Sequence, residues 1–391
     1  MLKMSKLLAG AIGAAAAIFG STGALADSKG SVSGDIRYGL DMSDSSGPVS
    51  DAADTGADTD LRDLNSYVGI KASTGQGDIR VFGVYESYVG ADFSFLSLES
   101  SRQLFAGVST GFGTVTYGRM FTDYAKSGIA IDPFYNTALA SANGGVAGSA
   151  ASAPGFPPTF TSYGISPFFT GEAPYLGALG SGVQPNQLAY ESPNLFGLTF
   201  NGAVFFDRND DSPTNAGTGQ ESHDYGAGLA WNGMGITAGV QFLQVNDEVG
   251  GGQFIGALGA GGGGNGDATA TRLHASYAAQ RFGVAISAER IDLQGAGILD
   301  EDYYFASGWF GVMPGTRVAA SVGMTNETGF EGTGMQVGVF HDVMENFTVH
   351  AGASMYDLHE DSVSGPGSAV DDSWIAALGA SYKFELGFMS R

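Results

Sequence analysis

A chain of 391 residues is long enough for two or three soluble domains, yet no Pro/Ser-rich linker or break in composition divides this one, and a single large domain fits better. Forty Asp and Glu against 17 Lys and Arg, a formal charge of −23, exclude nucleic acid as a partner, because an anionic surface repels a phosphate backbone. Zero cysteines exclude disulfides and thiolate chemistry, and 63 glycines with 12% aromatic and only 15% charged residues describe many strands and turns.

The first element is a targeting segment. Lys3 and Lys6 precede an uncharged apolar run from Leu7 to Phe19, followed by Ala24-Leu25-Ala26. That order reads as a secretory signal peptide over residues 1–26 with an A-x-A cleavage site, and as a mature domain over 27–391 that begins at Asp27. The run is shorter than the about 20 apolar residues a spanning helix needs, and no later segment is apolar for long enough, so helical membrane spans are excluded. Cleavage removes the two lysines, which makes the mature chain more acidic still. Such an exterior either binds divalent cations or keeps loops solvated and apart.

From there to the C-terminus, apolar and polar residues alternate with period two, the mark of strands whose successive side chains point to opposite faces. Val32, Ile36, Tyr38 and Leu40 share one face of the first strand, and Ser33, Asp35, Arg37 and Asp41 the other. Ile79, Val81 and Tyr85 oppose Asp78, Arg80 and Glu86, while Leu198, Phe200, Val204 and Phe206 oppose Thr199 and Asn201. Ile236, Ala238, Val240 and Phe242 alternate with Thr237, Gly239 and Gln241, and Val318, Ala320, Val322 and Met324 with Arg317, Ala319, Ser321 and Gly323. Alternation alone fits a soluble sandwich or a membrane barrel; the export signal and the length favour the barrel.

About sixteen strands carry the pattern, starting near residues 31, 65, 78, 101, 113, 186, 197, 222, 234, 269, 282, 302, 316, 332, 346 and 372. An even number permits closure, and closure is required because lipid cannot hydrogen-bond an open sheet edge. Connections alternate between short and long. Asn232-Gly233, Gln280 to Arg281 and Met344 to Asn346 are brief, whereas Asp41 to Leu64, Asp207 to Glu221, Val245 to Ala268 and Leu358 to Asp371 are long and rich in Gly, Ser, Asp and Thr. Tyr225 and Trp231, Tyr303 and Trp309, and Trp374 and Tyr382 fall near strand ends, where aromatic rings favour the lipid headgroup level.

The segment from Met120 to Pro185 breaks the rhythm. It carries Asp132-Pro133-Phe134-Tyr135, a Gly/Ala/Ser stretch, and then Pro154, Pro157, Pro158, Pro167 and Pro174. A connection this long inside one domain is usually functional, and it reads as a loop folded into the barrel.

Three stretches carry a family resemblance. Ser101-Arg102-Gln103-Leu104-Phe105-Ala106-Gly107-Val108 runs into Phe112-Gly113-Thr114-Val115-Thr116-Tyr117-Gly118-Arg119 before the long segment, and Asn186-Gln187-Leu188-Ala189-Tyr190-Glu191-Ser192-Pro193 with Phe196-Gly197-Leu198 follows it. The third is Gly379-Ala380-Ser381-Tyr382-Lys383-Phe384. Together they resemble the general diffusion porins of Gram-negative bacteria, and the resemblance covers nearly the whole mature sequence. It implies an all-β, transmembrane antiparallel barrel of the outer membrane, usually a homotrimer, with residues 120–185 as a third loop that narrows a water-filled pore for ions and small hydrophilic solutes. Contacts with outer-membrane lipid, with lipopolysaccharide and with the barrel-assembly machinery follow from the same resemblance. Gly379, Tyr382 and Phe384 match the terminal assembly signal, although the chain continues through Phe388 to Arg391, so either phenylalanine fits that part.

In such porins, loop carboxylates face basic residues across the constriction. Arg37 and Arg80 are the preferred basic wall, since both lie on the polar face of cleanly alternating strands; ordinary solvation of the lumen is the other reading. Arg102 and Arg119 match the family motifs but obey alternation poorly. Strict parity places Arg119 with Val115 and Tyr117 on the lipid face, at a cost of about 2 to 4 kcal/mol, unless a bulge or the turn into the loop re-aims it. Asp123, Asp132 and Glu172 are the candidate acids. Asp132 leads, because Pro133-Phe134-Tyr135 would anchor it; capping a local turn is the competing role.

No metal or cofactor is expected, save a divalent cation such as calcium on the acidic run Asp41 to Asp63, where no EF-hand spacing occurs. His223, His274, His341, His350 and His359 show no metal-ligand spacing, and His274 and His350 are expected to line water. Gly233-Met234-Gly235 and the run Gly261 to Asp267 read as turns rather than nucleotide or calcium motifs. The acid excess predicts a weak preference for cations. Alternative readings are an adhesin or structural barrel and a membrane-embedded hydrolase, for which no strand pairs a Ser with a His convincingly.

Overall fold

The computed structural model describes residues 28–45, 58–64, 66–89, 101–135, 137, 139, 183–206, 223–245, 268–293, 301–325, 332–358 and 372–390. The strands are β1 (Ser28–Ser45), β2 (Asp58–Asp63), β3 (Tyr67–Gln76), β4 (Ile79–Tyr88), β5 (Ser101–Thr110), β6 (Gly113–Phe121), β7 (Val183–Glu191), β8 (Leu198–Phe205) and β9 (Asp224–Gly233). They continue as β10 (Ile236–Val245), β11 (Ala268–Ala278), β12 (Phe282–Leu293), β13 (Glu301–Met313), β14 (Thr316–Thr325), β15 (Gly332–Met344), β16 (Phe347–Leu358) and β17 (Asp372–Ser390). A helix α1 (Asp123–Ile129) follows β6.

Every neighbouring pair is antiparallel, and β17 returns to β1 in register from Ser28 opposite Ser390 to Ser45 opposite Ser373, which closes the ring. β2 pairs with Tyr38 to Ser43 of β1, and β3 with Lys29 to Asp35 of the same strand. The two are therefore parts of one stave, and the barrel has sixteen staves. Fifteen of them begin within three residues of the expected starts.

The remaining stave is a correction. Asp41 to Leu64 was expected as loop, but β1 runs on to Ser45 and Asp58–Asp63 pairs with it. Three aspartates gave that segment the composition of a loop; pairing with a lengthened neighbour makes it a strand. The break between β2 and β3 is stitched to β1: the Ser66 hydroxyl accepts from the Arg37 amide at 2.8 Å and donates to the Arg37 carbonyl at 3.0 Å. A second correction concerns the β9–β10 hairpin. Asn232 and Gly233 stay in the ladder, opposite Thr237 and Ile236, and the turn is Met234-Gly235, both with positive φ.

The two faces of the ladder differ as the alternation requires. Leu104, Val108, Leu198, Phe200, Leu273, Ile286, Val337, Val339 and Leu378 are exposed, as suits a surface turned to lipid. Asp35, Arg37, Glu86, Gln187, Gln241, Arg272, Ser287, Glu289, Ser321 and Gln336 lie buried on the inner face. Trp309 departs from expectation: its side chain packs against an inner cluster instead of sitting at the headgroups. Short turns such as 77–78, 111–112, 234–235 and 314–315 gather at one end, and the long connections leave from the other. In outer-membrane barrels the short turns are periplasmic.

Candidate functional site

The connection after β6 does not leave the barrel at once. Thr122 has extended backbone, and its hydroxyl accepts from the Ala125 amide at 3.0 Å, so it caps α1. The helix then meets the wall at β11 and β12, where Arg272 and Glu289 stand directly opposite in register. Arg272 donates from Nη2 to Glu289 Oε2 at 2.8 Å, and from Nη1 to the Tyr124 carbonyl at 2.7 Å and the Ser127 hydroxyl at 3.1 Å. The Tyr124 hydroxyl donates to the other oxygen of Glu289, and the guanidinium lies 4.3 Å from the Tyr124 ring centre. Both charged side chains are fully shielded from solvent. Burial first, and the Glu289 charge second, push the Tyr124 phenol well above its ordinary value.

Residues 131 to 139 reach the far side. Ser307 on β13 donates to the Ile131 carbonyl at 2.5 Å, and Gln336 on β15 donates to the Leu139 carbonyl at 2.7 Å. Gln336 is itself held by Ser321 on β14 at 3.0 Å. Phe134 is completely buried with Leu139 among Leu64, Ala319, Phe340, Ile375 and Ala377, its ring centre 5.8 Å from that of Phe340. Two wall glycines make the room. A Cβ on Gly338 would meet the Phe134 ring at 2.9 Å, and one on Gly352 would meet Leu139 at 2.6 Å. β6 is the fifth stave and β14 the thirteenth, so this segment spans a full diameter of the ring.

Asp132 sits in that seat, buried, with Oδ1 accepting from the Phe134 amide at 2.8 Å. It therefore caps the local turn, the competing role weighed from the sequence, while Phe134 anchors the chain beside it. Asp123 opens α1, half buried, and pairs with Lys126 at 2.8 Å. Glu172 lies outside the described residues.

On the near wall, Arg37 pairs with Asp35 at 2.5 Å, and Arg102 pairs with Glu86, which also accepts from Gln103 at 2.6 Å. Both guanidiniums stand over the Tyr67 ring, Arg102 at 4.3 Å and Arg37 at 5.7 Å, and Arg102 also covers Phe121 at 4.8 Å. Arg102 escapes alternation through a bulge, since the β4–β5 register slips between Glu86 and Ser87. Arg119 faces a second bulge, where β7 carries an extra residue and the β6–β7 register slips between Gly118 and Met120. Gly118 there has φ of +139°, and a Cβ on it would lie 2.3 Å from the Leu104 carbonyl oxygen, so only glycine fits. The Arg119 Nε is buried and makes no hydrogen bond among the described residues.

Arg80 does not join this group. It is exposed two residues from the Gly77-Asp78 turn and donates to Ser73 at 3.0 Å. Six residues of strand separate it from Glu86, about 20 Å at the usual rise. His274 and His350 face inward but are largely buried over Gly239 and Gly379, a correction to the expectation that they line water. Among the described residues no group of three acids and histidines could hold a metal. Residues 46–57, the centre of the acidic run, lie outside the described residues. At the C-terminus β17 continues to Ser390; Tyr382 and Phe384 stack at 6.3 Å, and Phe388 pairs with Gly30 further along.

Sequence reasoning missed Tyr124, Arg272 and Glu289. A usable signal existed: Arg272 and Glu289 are opposite charges on inner faces, equidistant from the turn at 280–281.

A family model described as Gram-negative porin matches residues 13–361. Among solved structures, the fold is similar to an anion-selective porin from Comamonas acidovorans, with TM-score 0.69 and 14% identity, covering 91% of this chain and 100% of that one. It is similar also to the trimer form of OmpT, an outer membrane protein of Vibrio cholerae, with TM-score 0.62 and 15% identity over 91% and 99% of the two chains. A Salmonella typhi OmpF in complex with daunomycin gives TM-score 0.57 and 15% identity over 92% and 97%. No curated protein matches the sequence significantly. At such identities the likeness to the solved structures establishes the fold.

Proposed function

From a chain that belongs to the Gram-negative porin family and closes into an outer-membrane barrel, we propose a passive channel for ions and small hydrophilic solutes. One observation carries this reading: the segment after β6 crosses the ring, clamped by Arg272 and Glu289 on one wall and by Phe134 on another. A segment held across a lumen narrows it without sealing a binding pocket, which suits flux. Arg37, Arg102 and Arg119 on one side and Asp123 and Asp132 on the crossing segment are the proposed charged rim of that narrowing. The assembly proposed is a homotrimer, by analogy with the trimer form of the similar Vibrio protein.

A weak preference for cations goes with this proposal. The excess of 40 acids over 17 bases favours potassium, and the arginines of the wall offset it. Purified, folded protein in a planar bilayer should give stepwise potassium chloride conductance with a reversal potential slightly on the potassium side. Folded protein that never conducts would sink the channel in favour of an adhesin or structural barrel, and turnover of phospholipid or peptide would favour a hydrolase.

A further inference from the structure

The inner wall near the short turns carries cations that have no acid paired with them. Lys29 on β1 lies opposite Ser73 on β3, and Lys71 lies opposite Ser31, so the two lysines are diagonal neighbours on one face. Arg80 on β4 reaches back to the Ser73 hydroxyl at 3.0 Å, which places Ser73 between Lys29 and Arg80. All three cations are exposed, and neither lysine makes an ion pair or hydrogen bond among the described residues. They line one recess of about 710 Å³, in which Glu385 is the single acid. Three positive charges against one negative leave a surplus that a dianion balances and a chloride does not.

We propose that the short-turn end of the lumen holds a binding site for small dianions of the phosphate type, built from Lys29, Lys71 and Arg80 with Ser73 at its centre. Lys29 and Lys71 supply ammonium donors from two adjacent staves, and Arg80 supplies a planar fork that meets two oxygens of one anion. The surrounding wall is open to water, so each contact is worth little, but three cations lining one recess act together on a solute inside it. Dianionic solutes would therefore dwell at this end during passage, in a chain whose overall charge repels them. This site rests on the channel reading for its biological use, though not for its existence.

Inorganic phosphate is the probe. In potassium chloride, phosphate added on the short-turn side should reduce single-channel current more than phosphate added on the other side. In the variant combining Lys29→Gln, Lys71→Gln and Arg80→Gln, the half-blocking concentration should rise about tenfold, or about 1.4 kcal/mol. Steady chloride conductance with no phosphate block, or equal block of the variant, overturns the site and leaves the channel standing. Should the protein not conduct, the phosphorus NMR line of phosphate should still broaden with wild-type protein in detergent and sharpen with the variant. An unbroadened line overturns the site independently of conduction.

Discussion

Two sets of cations face the same lumen and differ in what lies against them. Arg272 is fully buried, and among the described residues it donates to Glu289, the Tyr124 carbonyl and Ser127. Lys29, Lys71 and Arg80 stand in the open at the short-turn end. The first kind of site spends its charge on the protein itself, fixing where α1 sits. The second leaves its charge available to solutes. Position along the stave decides which: beneath the crossing segment a charge must be neutralised because water is excluded, and beyond it water does the work.

The sharpest way to break this contrast is Glu289→Ala, which removes the carboxylate that Arg272 faces across the ladder. It should cost about 3 to 5 kcal/mol in urea unfolding of the detergent-folded barrel. Adding Arg272→Met should recover much of the loss, since a well-packed apolar pair avoids the desolvation penalty. A loss under about 1 kcal/mol for the single variant would mean the pair does not hold the helix. Phe134→Ala tests the other seat. Removing a fully buried aromatic costs about 3 kcal/mol at that seat, so the segment should detach from Phe340 and open-channel conductance should rise. Unchanged conductance would place the narrowing elsewhere.

Tyr124 gives a pH readout of the same clamp. Its folded value lies above the unfolded one, so its contribution is complete below about pH 10. As pH rises beyond that, the unfolded state has released a proton that the folded state still holds, and stability falls. Wild-type conductance should therefore become noisier in alkali. Tyr124→Phe should be noisier at neutral pH by loss of the bond to Glu289, about 1 kcal/mol, and should not change further in alkali. An identical alkaline response in both would assign the effect to another group.

How much of this was legible in the sequence varies with the range of the interaction. Strand starts were read to within three residues because period two is local and is punctuated by turns such as Gly77-Asp78. β2 was hidden, because Asp58, Asp60 and Asp63 look like loop and pair only where β1 is long enough to receive them. Arg102 defied parity for a reason parity cannot contain, an extra residue in its ladder, whereas at Arg119 the extra residue is on β7 and the positive φ of Gly118 was the visible clue to an irregular backbone. The clamp of Tyr124 on Glu289 joins residues 165 apart and needs the course of the loop in space, which no pattern along the chain encodes.

The mildest test isolates exposure as the variable. Lys126 pairs with Asp123 at 2.8 Å, about as close as Arg272 to Glu289, but its side chain is 54% exposed. Water already solvates both partners, so the attraction is screened and the ordering of a long side chain offsets part of it. Lys126→Ala should shift unfolding by no more than about 0.5 kcal/mol, within the range of a helical i, i+3 pair. The loss should shrink further in molar salt, whereas that of Glu289→Ala should not, because a dry pair lies beyond the reach of counterions. Equal salt dependence of the two variants would show that the Arg272 clamp is wet, and the division between structural and solute-facing charge would then fail at its strongest point.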